Sequence, residues 1–166
     1  MNLSADIIAA AEAVLNANRA AGRRIATAES CTGGLVAAAL TEIAGSSDVV
    51  EAGFVTYSND AKTAMLGVSA ALIEKHGAVS EQVAQAMAQG ALAHSRADVS
   101  IAITGVAGPS GGTAAKPVGT VWFARAMRGG ETIALLHQFG DPGRAEIRRQ
   151  AVLVALELLL PNWTAL

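Results

Sequence analysis

The sequence predicts a single α/β domain over residues 1–166, built on a mixed, mostly parallel sheet with helices on both faces. Helical and strand patterns alternate early in the chain, which favours a parallel sheet covered by helices. Two later strand patterns are joined through Arg128-Gly129-Gly130, which is typical of an antiparallel hairpin. The length of 166 residues suits one domain with one substantial core.

Helix and strand signals alternate in the first part of the chain. Ser4 is a typical helix cap and Gly22 a typical helix end, so a first helix lies between them. Beyond it, β-rich runs predict strands, and apolar residues at helical spacing predict helices. The predicted elements are a strand over 24–28, a helix after Thr32 to about residue 44, a strand over 49–57, and short helices over 61–66 and 70–76.

The second part begins with a longer helix that Ser80 caps. Apolar and small side chains alternate over 98–104, which predicts another strand. A glycine-rich loop over 105–117 then leads to the hairpin strands, and Pro161 stops a final helix. These last elements are predicted over 118–127, 131–139 and 144–160.

Composition narrows the classes of function. The chain is 52% hydrophobic and 16% charged with a net charge of −2, so it lacks the basic surface of a nucleic-acid-binding protein. With so few charges, we expect part of the surface to be covered in a homo-oligomer, a dimer or larger. The single cysteine rules out an internal disulfide framework and is typical of a reducing cytoplasm.

The sequence does not predict a leader, a membrane span or a metal centre. Asp6 and Glu12 interrupt the N-terminal region, which is unlike a signal peptide. The most apolar segment, 151–160, is interrupted by Glu157 and is too short to cross a bilayer. The His, Cys, Asp and Glu residues lack metal-ligand spacing, so we expect neither a metal nor a cofactor.

The most informative stretch is Thr27–Gly34, where the first strand leads into a helix. Ligands bind at such strand ends in open α/β sheets, and helix-start amides lie there unpaired. Ser30 is therefore a candidate nucleophile, and the amides of Cys31, Thr32, Gly33 and Gly34 are candidates for an oxyanion hole. The alternative is that Ser30 or Thr32 only caps the helix and the glycines form a tight turn.

A serine nucleophile needs a base, and Lys62 is the best candidate. It lies in the first turn of a capped helix after a strand, where the helix dipole lowers the pKa of a lysine. Tyr57, the only tyrosine, ends that strand and can relay a proton or hold the lysine. The alternative for Lys62 is a solvated surface lysine without a catalytic role. The alternative for Tyr57 is an aromatic residue that packs at the edge of the core. A Ser-His-Asp triad is not expected, because polar companions are missing around His76, His94 and His137.

The loop over 105–117 also follows a strand. Glycine-rich backbone there can cradle phosphate or ribose, although it lacks the lysine–serine ending of a P-loop. A flexible surface loop is the alternative. Arg144 and Arg148, at the start of the last helix, oppose its dipole, which hints at an anionic ligand; a solvated face is the alternative. The loop's candidate binding residues are Thr104, Gly105, Gly108, Gly111 and Gly112.

Five motifs that follow one another along the chain resemble one known family. They are Ala28-Glu29-Ser30-Cys31-Thr32-Gly33-Gly34, Gly53-Phe54-Val55-Thr56-Tyr57-Ser58-Asn59 with Lys62, His76-Gly77-Ala78-Val79-Ser80, Thr104-Gly105-Val106-Ala107-Gly108-Pro109, and Lys116-Pro117-Val118-Gly119-Thr120-Val121. Through them, nearly the whole chain resembles the CinA C-terminal-domain family, whose enzymes are nicotinamide-nucleotide amidohydrolases.

The resemblance implies a three-layer α/β/α sandwich like the anticodon-binding-domain fold. It implies hydrolysis of nicotinamide mononucleotide to nicotinic acid mononucleotide and ammonia, with Ser30 as nucleophile and Lys62 and Tyr57 as its partners. It also implies that the loop over 104–112 and Arg144 hold ribose and phosphate. Members of the family commonly associate as dimers or larger assemblies.

Two departures from the family pattern qualify these implications. Family members often have Gly-Asp-Arg before the last helix, whereas Pro142-Gly143 separates Asp141 from Arg144 here, which leaves the register of Arg144 open. Many relatives carry a further N-terminal domain resembling molybdopterin-binding proteins, and we expect this chain to begin at the amidohydrolase domain. Two alternative functions remain: a non-catalytic partner-binding module in a competence or DNA-damage response, and an amidase for another small carboxamide.

Overall fold

The computed structural model describes residues 3–164, which form six α-helices and five strands. The predicted elements are present, and their ends shift by one or two residues; the first strand, for example, runs one residue further than predicted. In chain order the elements are α1 (Ala5–Ala20), β1 (Ile25–Glu29), α2 (Leu35–Glu42), β2 (Val50–Val55), α3 (Asn59–Leu66), α4 (Ala70–His76), α5 (Glu81–Ala93), β3 (Val99–Gly105), β4 (Thr120–Met127), β5 (Thr132–Gln138) and α6 (Arg144–Leu158).

The five strands form one mixed sheet in the order β2-β1-β3-β4-β5. β1 pairs in parallel with β2 and with β3, while β4 pairs antiparallel with β3 and with β5. Four of the five strands therefore run in one direction, with β4 as the exception, although only two of the four pairings are parallel. The predicted hairpin, β4–β5, is confirmed, and so is the mixed sheet.

Alternation along the strands sends large side chains to one face of the sheet and small ones to the other. Ile25, Ile101 and Ile103 pack with α1, α2 and α6, whereas Ala26 and Ala102 pack with the helices on the opposite face. The predicted three-layer α/β/α sandwich is therefore confirmed. Because the second face is lined mainly by alanine, α5 can lie close to the strands.

Helix α3 approaches α5 closely at Gly90. A Cβ atom on Gly90 would lie only 2.1 Å from the carbonyl oxygen of Leu66, the last residue of α3. No side chain fits at that distance, so glycine is required by packing rather than by its backbone angles. The contact fixes the position of α3, which carries Lys62.

Candidate active site

Ser30 and Lys62 meet at the carboxyl end of β1. Ser30 follows β1 directly, Lys62 lies in the first turn of α3, and the Lys62 Nζ lies 3.0 Å from the Ser30 Oγ. The helix start is capped as predicted, because the Ser58 hydroxyl accepts the amide of Ala61. Ser30 is 8% exposed and Lys62 only 1%. The alternative of a solvated surface lysine is therefore wrong.

The surroundings of the Lys62 amine hold it in place and lower its pKa. Its Nζ donates to the main-chain carbonyl oxygen of Thr56 at 3.0 Å and to that of Tyr57 at 3.5 Å. Burial lowers the pKa of Lys62, and a smaller electrostatic effect of Cys31 opposes this. The direction is the predicted one, but the main cause is loss of solvent rather than the helix dipole. A lysine that loses its proton readily can act as a base.

The Tyr57 side chain points to a different partner from the one expected. It is 61% exposed, and its hydroxyl accepts a hydrogen bond from Arg144 Nη2 at 3.1 Å. Its main-chain carbonyl accepts a hydrogen bond from Lys62. Tyr57 therefore holds the lysine through its backbone, while its phenol belongs to a group with Arg144.

The Glu29 carboxylate binds the start of α2, a contact that the sequence did not suggest. Glu29 is fully buried, and its two oxygens accept the amides of Gly34 at 3.1 Å, Val36 at 3.1 Å and Ala37 at 2.9 Å. An anion at this position is stabilised by the positive end of the helix dipole. The contact crosses the turn, because Glu29 ends β1 and α2 begins only at Leu35.

Glu29 changes which amides are free for an oxyanion. The Gly34 amide is bound to Glu29, and the Gly33 amide donates to the Ser30 carbonyl at 3.0 Å. Within residues 3–164, the amides of Cys31 and Thr32 donate to no protein acceptor. Arg148 holds the same turn from α6, because its Nε donates to the Cys31 carbonyl at 3.2 Å and its Nη2 to the Thr32 carbonyl at 3.0 Å.

The Cys31 thiol is a packing group at neutral pH. Its side chain is buried in the core between the sheet and α1, α2 and α6. Burial raises the pKa of Cys31 to about 12, so the thiolate is absent at neutral pH. This environment is that of a packing residue rather than a reactive thiol.

The β3–β4 loop lies beside Arg144. Gly108 has a φ of +74°, and its carbonyl accepts Arg144 Nη1 at 2.8 Å. Arg144 is the first residue of α6, so despite Pro142-Gly143 its guanidinium reaches both Tyr57 and this loop. Thr104 instead has a structural contact, since its hydroxyl donates to the Ala78 carbonyl at 2.9 Å.

Glycines allow the segments that enter and leave the β3–β4 loop to pack closely. A Cβ on Gly105 would lie 2.7 Å from a Val121 methyl carbon, and one on Gly112 would lie 2.9 Å from the Val118 amide nitrogen. Gly111 is exposed and has a φ of +88°. The glycines therefore shape the loop, and its tip is open to solvent.

The CinA C-terminal domain family model matches residues 8–162. The chain belongs to the CinA family. Nicotinamide-nucleotide amidohydrolase PncC of Escherichia coli (strain K12) is 52% identical over 155 residues, which cover 93% of each chain. A CinA-like protein of Mycolicibacterium vanbaalenii is 59% identical over 140 residues, 84% of this chain. The chain spans about a third of the length of such CinA-like relatives, 33% in that case.

Solved structures agree with the CinA assignment. The competence/damage inducible protein CihA from Agrobacterium tumefaciens superposes with a TM-score of 0.93 at 52% identity, covering 96% of this chain and 97% of that one. The competence-damaged protein (CinA) superfamily protein ECK1530/EC0983 from Escherichia coli gives 0.88 at 41% identity, covering 96% and 93%. The CinA fold thus extends over nearly the whole chain.

Two histidines of this CinA chain contact residues other than Ser30. His94 Nδ1 lies 2.8 Å from the Gly90 carbonyl oxygen, and the His137 ring stacks on Phe139. Within the part of the chain that the structure describes, no cluster of three or more His, Cys, Asp and Glu residues could hold a metal ion. Over the same residues, every helix is too short or too polar to cross a membrane.

Proposed function

We propose that this protein is an amidohydrolase that converts nicotinamide mononucleotide to nicotinic acid mononucleotide and ammonia. The proposal depends above all on the buried contact of 3.0 Å between the Ser30 Oγ and the Lys62 Nζ at a strand end. The identity of 52% with a protein named nicotinamide-nucleotide amidohydrolase supports the substrate class. We also expect the protein to lie in the cytoplasm and to bind neither nucleic acid nor membrane.

The proposed reaction has two stages. Neutral Lys62 takes the proton of Ser30 while the Ser30 Oγ bonds to the carboxamide carbon. Collapse of the tetrahedral adduct breaks the C–N bond, and Lys62 returns the proton to the departing ammonia. A water molecule then attacks the ester with Lys62 as base, which releases the carboxylate and restores Ser30. The carbonyls of Thr56 and Tyr57 orient the amine in both stages.

The tetrahedral adduct carries a negative oxygen that needs donors. We assign this role to the amides of Cys31 and Thr32, which have no protein acceptor among residues 3–164. Gly33 and Gly34, with φ values of +60° and +98°, shape the turn, and Gly33 is exposed, so a substrate can approach the backbone there. In this assignment the two glycines contribute space rather than hydrogen bonds.

The nucleotide's phosphate and ribose are assigned to the group around Arg144. The Arg144 guanidinium donates to the Tyr57 hydroxyl and to the Gly108 carbonyl. The Arg144 side chain is exposed and lies next to the β3–β4 loop. Arginine is suited to phosphate because its donors form a planar fork. We also propose a homo-oligomer, because charged residues make up only 16% of the chain.

Ammonia release from nicotinamide mononucleotide by the wild type and by Ser30→Ala tests the proposal. We expect release by the wild type and at least a ~10³-fold loss in the variant, with its thermal unfolding unchanged. Activity that survives in Ser30→Ala would move the nucleophile elsewhere. If the wild type releases ammonia from another small carboxamide but not from nicotinamide mononucleotide, the proposed substrate is wrong and the protein is an amidase for that compound. Absence of release from any amide would favour the partner-binding module.

A further inference from the structure

Arg148 connects α6 to the turn that follows Ser30. Its partly buried guanidinium donates to two successive carbonyl oxygens, those of Cys31 and Thr32. The two contacts, 3.2 and 3.0 Å long, use different nitrogens of one planar group. They therefore fix the orientation of two neighbouring peptide planes as well as their position.

The orientation of these carbonyls determines where the amides point. In a trans peptide the N–H lies opposite the C=O of the preceding residue. Because the Cys31 and Thr32 carbonyls face Arg148, the amides of Thr32 and Gly33 point away from it. The Gly33 amide donates to the Ser30 carbonyl at 3.0 Å, so it points away from Arg148 and towards the Ser30 main chain. The Thr32 amide, which donates to no acceptor in residues 3–164, is turned in the same direction.

From this geometry we infer that Arg148 is a positioning residue for the oxyanion hole. It does not touch the substrate; it holds the peptide planes of the Ser30 turn so that the Thr32 amide is oriented before the substrate arrives. Such donors stabilise a transition state most when they need no reorganisation during the reaction. The inference rests on the proposed function, and it gives Arg148 a task different from anion binding.

The neighbouring arginine provides a matched control. Arg149 lies next to Arg148 on α6, but its guanidinium binds Glu146 at 2.8 Å and Asp6 at 2.5 Å. These are ion pairs at the protein surface, and neither partner belongs to the Ser30 turn. Removing Arg149 therefore removes the same charge from the same helix without releasing a peptide of that turn.

The experiment compares Arg148→Met, Arg148→Lys and Arg149→Met by kcat and KM for ammonia release from nicotinamide mononucleotide. We expect kcat of Arg148→Met to fall by about 10- to 100-fold while KM stays within about twofold, because only transition-state binding is lost. Arg148→Lys should recover little, since an ammonium cannot donate to both carbonyls in a fork. Arg149→Met should keep the kcat of the wild type.

Several results would overturn the inference. A rise in KM with unchanged kcat would make Arg148 a substrate ligand, and an unchanged kcat in folded Arg148→Met would make it structural. If thermal unfolding shows that Arg148→Met does not fold, Arg148→Lys takes its place with the same criteria.

A second readout separates this inference from the proposed function. If the wild type releases no ammonia, the proposed substrate is wrong, and the rate at which a fluorophosphonate probe labels Ser30 is followed by intact mass instead. Slower labelling in Arg148→Met than in Arg149→Met supports the positioning role. Equal rates in the two variants, or no labelling of Ser30 in Arg149→Met, overturn it.

Discussion

The Ser30 turn (residues 30–34) and the β3–β4 loop (residues 106–119) look alike in sequence and differ in the structure. Both follow a buried strand of the parallel part of the sheet, and both contain glycine. Cys31 and Thr32 are buried, and the turn is bound by Glu29 on one side and Arg148 on the other. The loop is exposed over residues 109–115.

This difference separates two tasks that glycine serves. In the turn, glycine lets the backbone bend tightly while Glu29 and Arg148 fix it, which suits chemistry that needs fixed donors. In the loop, glycine lets the segments that enter and leave it approach each other while the tip stays open. We therefore expect changes around the turn to alter kcat, and changes around the loop and Arg144 to alter KM.

The largest effect is expected at Lys62. Lys62→Met should lower kcat by about 10²- to 10⁴-fold, because it removes the proposed base. Burial lowers the pKa of Lys62 below 10.5, so in the wild type kcat should rise with pH and level off above that lowered pKa. The pH profile of kcat measures this.

Two comparisons accompany the pH profile. Lys62→Met should lose the rising limb, and a limb that persists would assign it to another group. The folded state of the wild type should lose stability as the pH falls through the lowered pKa of Lys62, since a buried amine must then be charged. Thermal unfolding across the same pH range provides the check.

An effect on both stability and kcat is expected at Glu29. In Glu29→Gln one oxygen becomes an NH₂ group, so at least one of the amides of Gly34, Val36 and Ala37 loses its acceptor. We expect kcat to fall by about tenfold, and the free energy of unfolding by about 1–3 kcal/mol. Denaturant unfolding and steady-state kinetics measure the two effects. Glu42→Gln, at the exposed end of α2, is the control. A loss of stability with normal kcat would limit Glu29 to folding.

Arg144→Ala should affect binding. If its guanidinium holds the phosphate, KM for nicotinamide mononucleotide should rise by about 10- to 100-fold with little change in kcat. A rise of that size corresponds to the usual free energy of a charged hydrogen bond. Nicotinamide riboside, which lacks the phosphate, should show no such rise. Equal rises for both substrates would mean that Arg144 only supports Tyr57 and the loop.

The smallest effect is expected at Cys31. Because burial raises the pKa of its thiol to about 12, native protein at pH 8 should not react with iodoacetamide, whereas protein unfolded in guanidinium should. Cys31→Ala should keep kcat within about twofold. Intact mass and ammonia release measure these outcomes. Rapid labelling of the native protein, with loss of activity, would contradict the packing role.

The sequence predicted what depends on local pattern. Ser30 could be placed because a strand, a turn and a helix start follow one another within a few residues. The burial of Lys62 could not be predicted, because it depends on how α3 packs against α5. The contacts of Arg148 were equally hidden, since its carbonyl partners lie 117 and 116 residues away in the chain. The contacts of Glu29 are closer in the chain, at Gly34, Val36 and Ala37, but they depend on how the turn folds back over the end of β1.

The close approach at Gly90 has a consequence for how this protein tolerates mutation. A methyl group there would collide with the Leu66 carbonyl oxygen at 2.1 Å and displace the helix that carries Lys62. In a saturation library selected for ammonia release, position 90 should accept about as few amino acids as position 30. Intolerance to substitution would then mark two kinds of position in this family, one that reacts and one that only sets the distance between two helices.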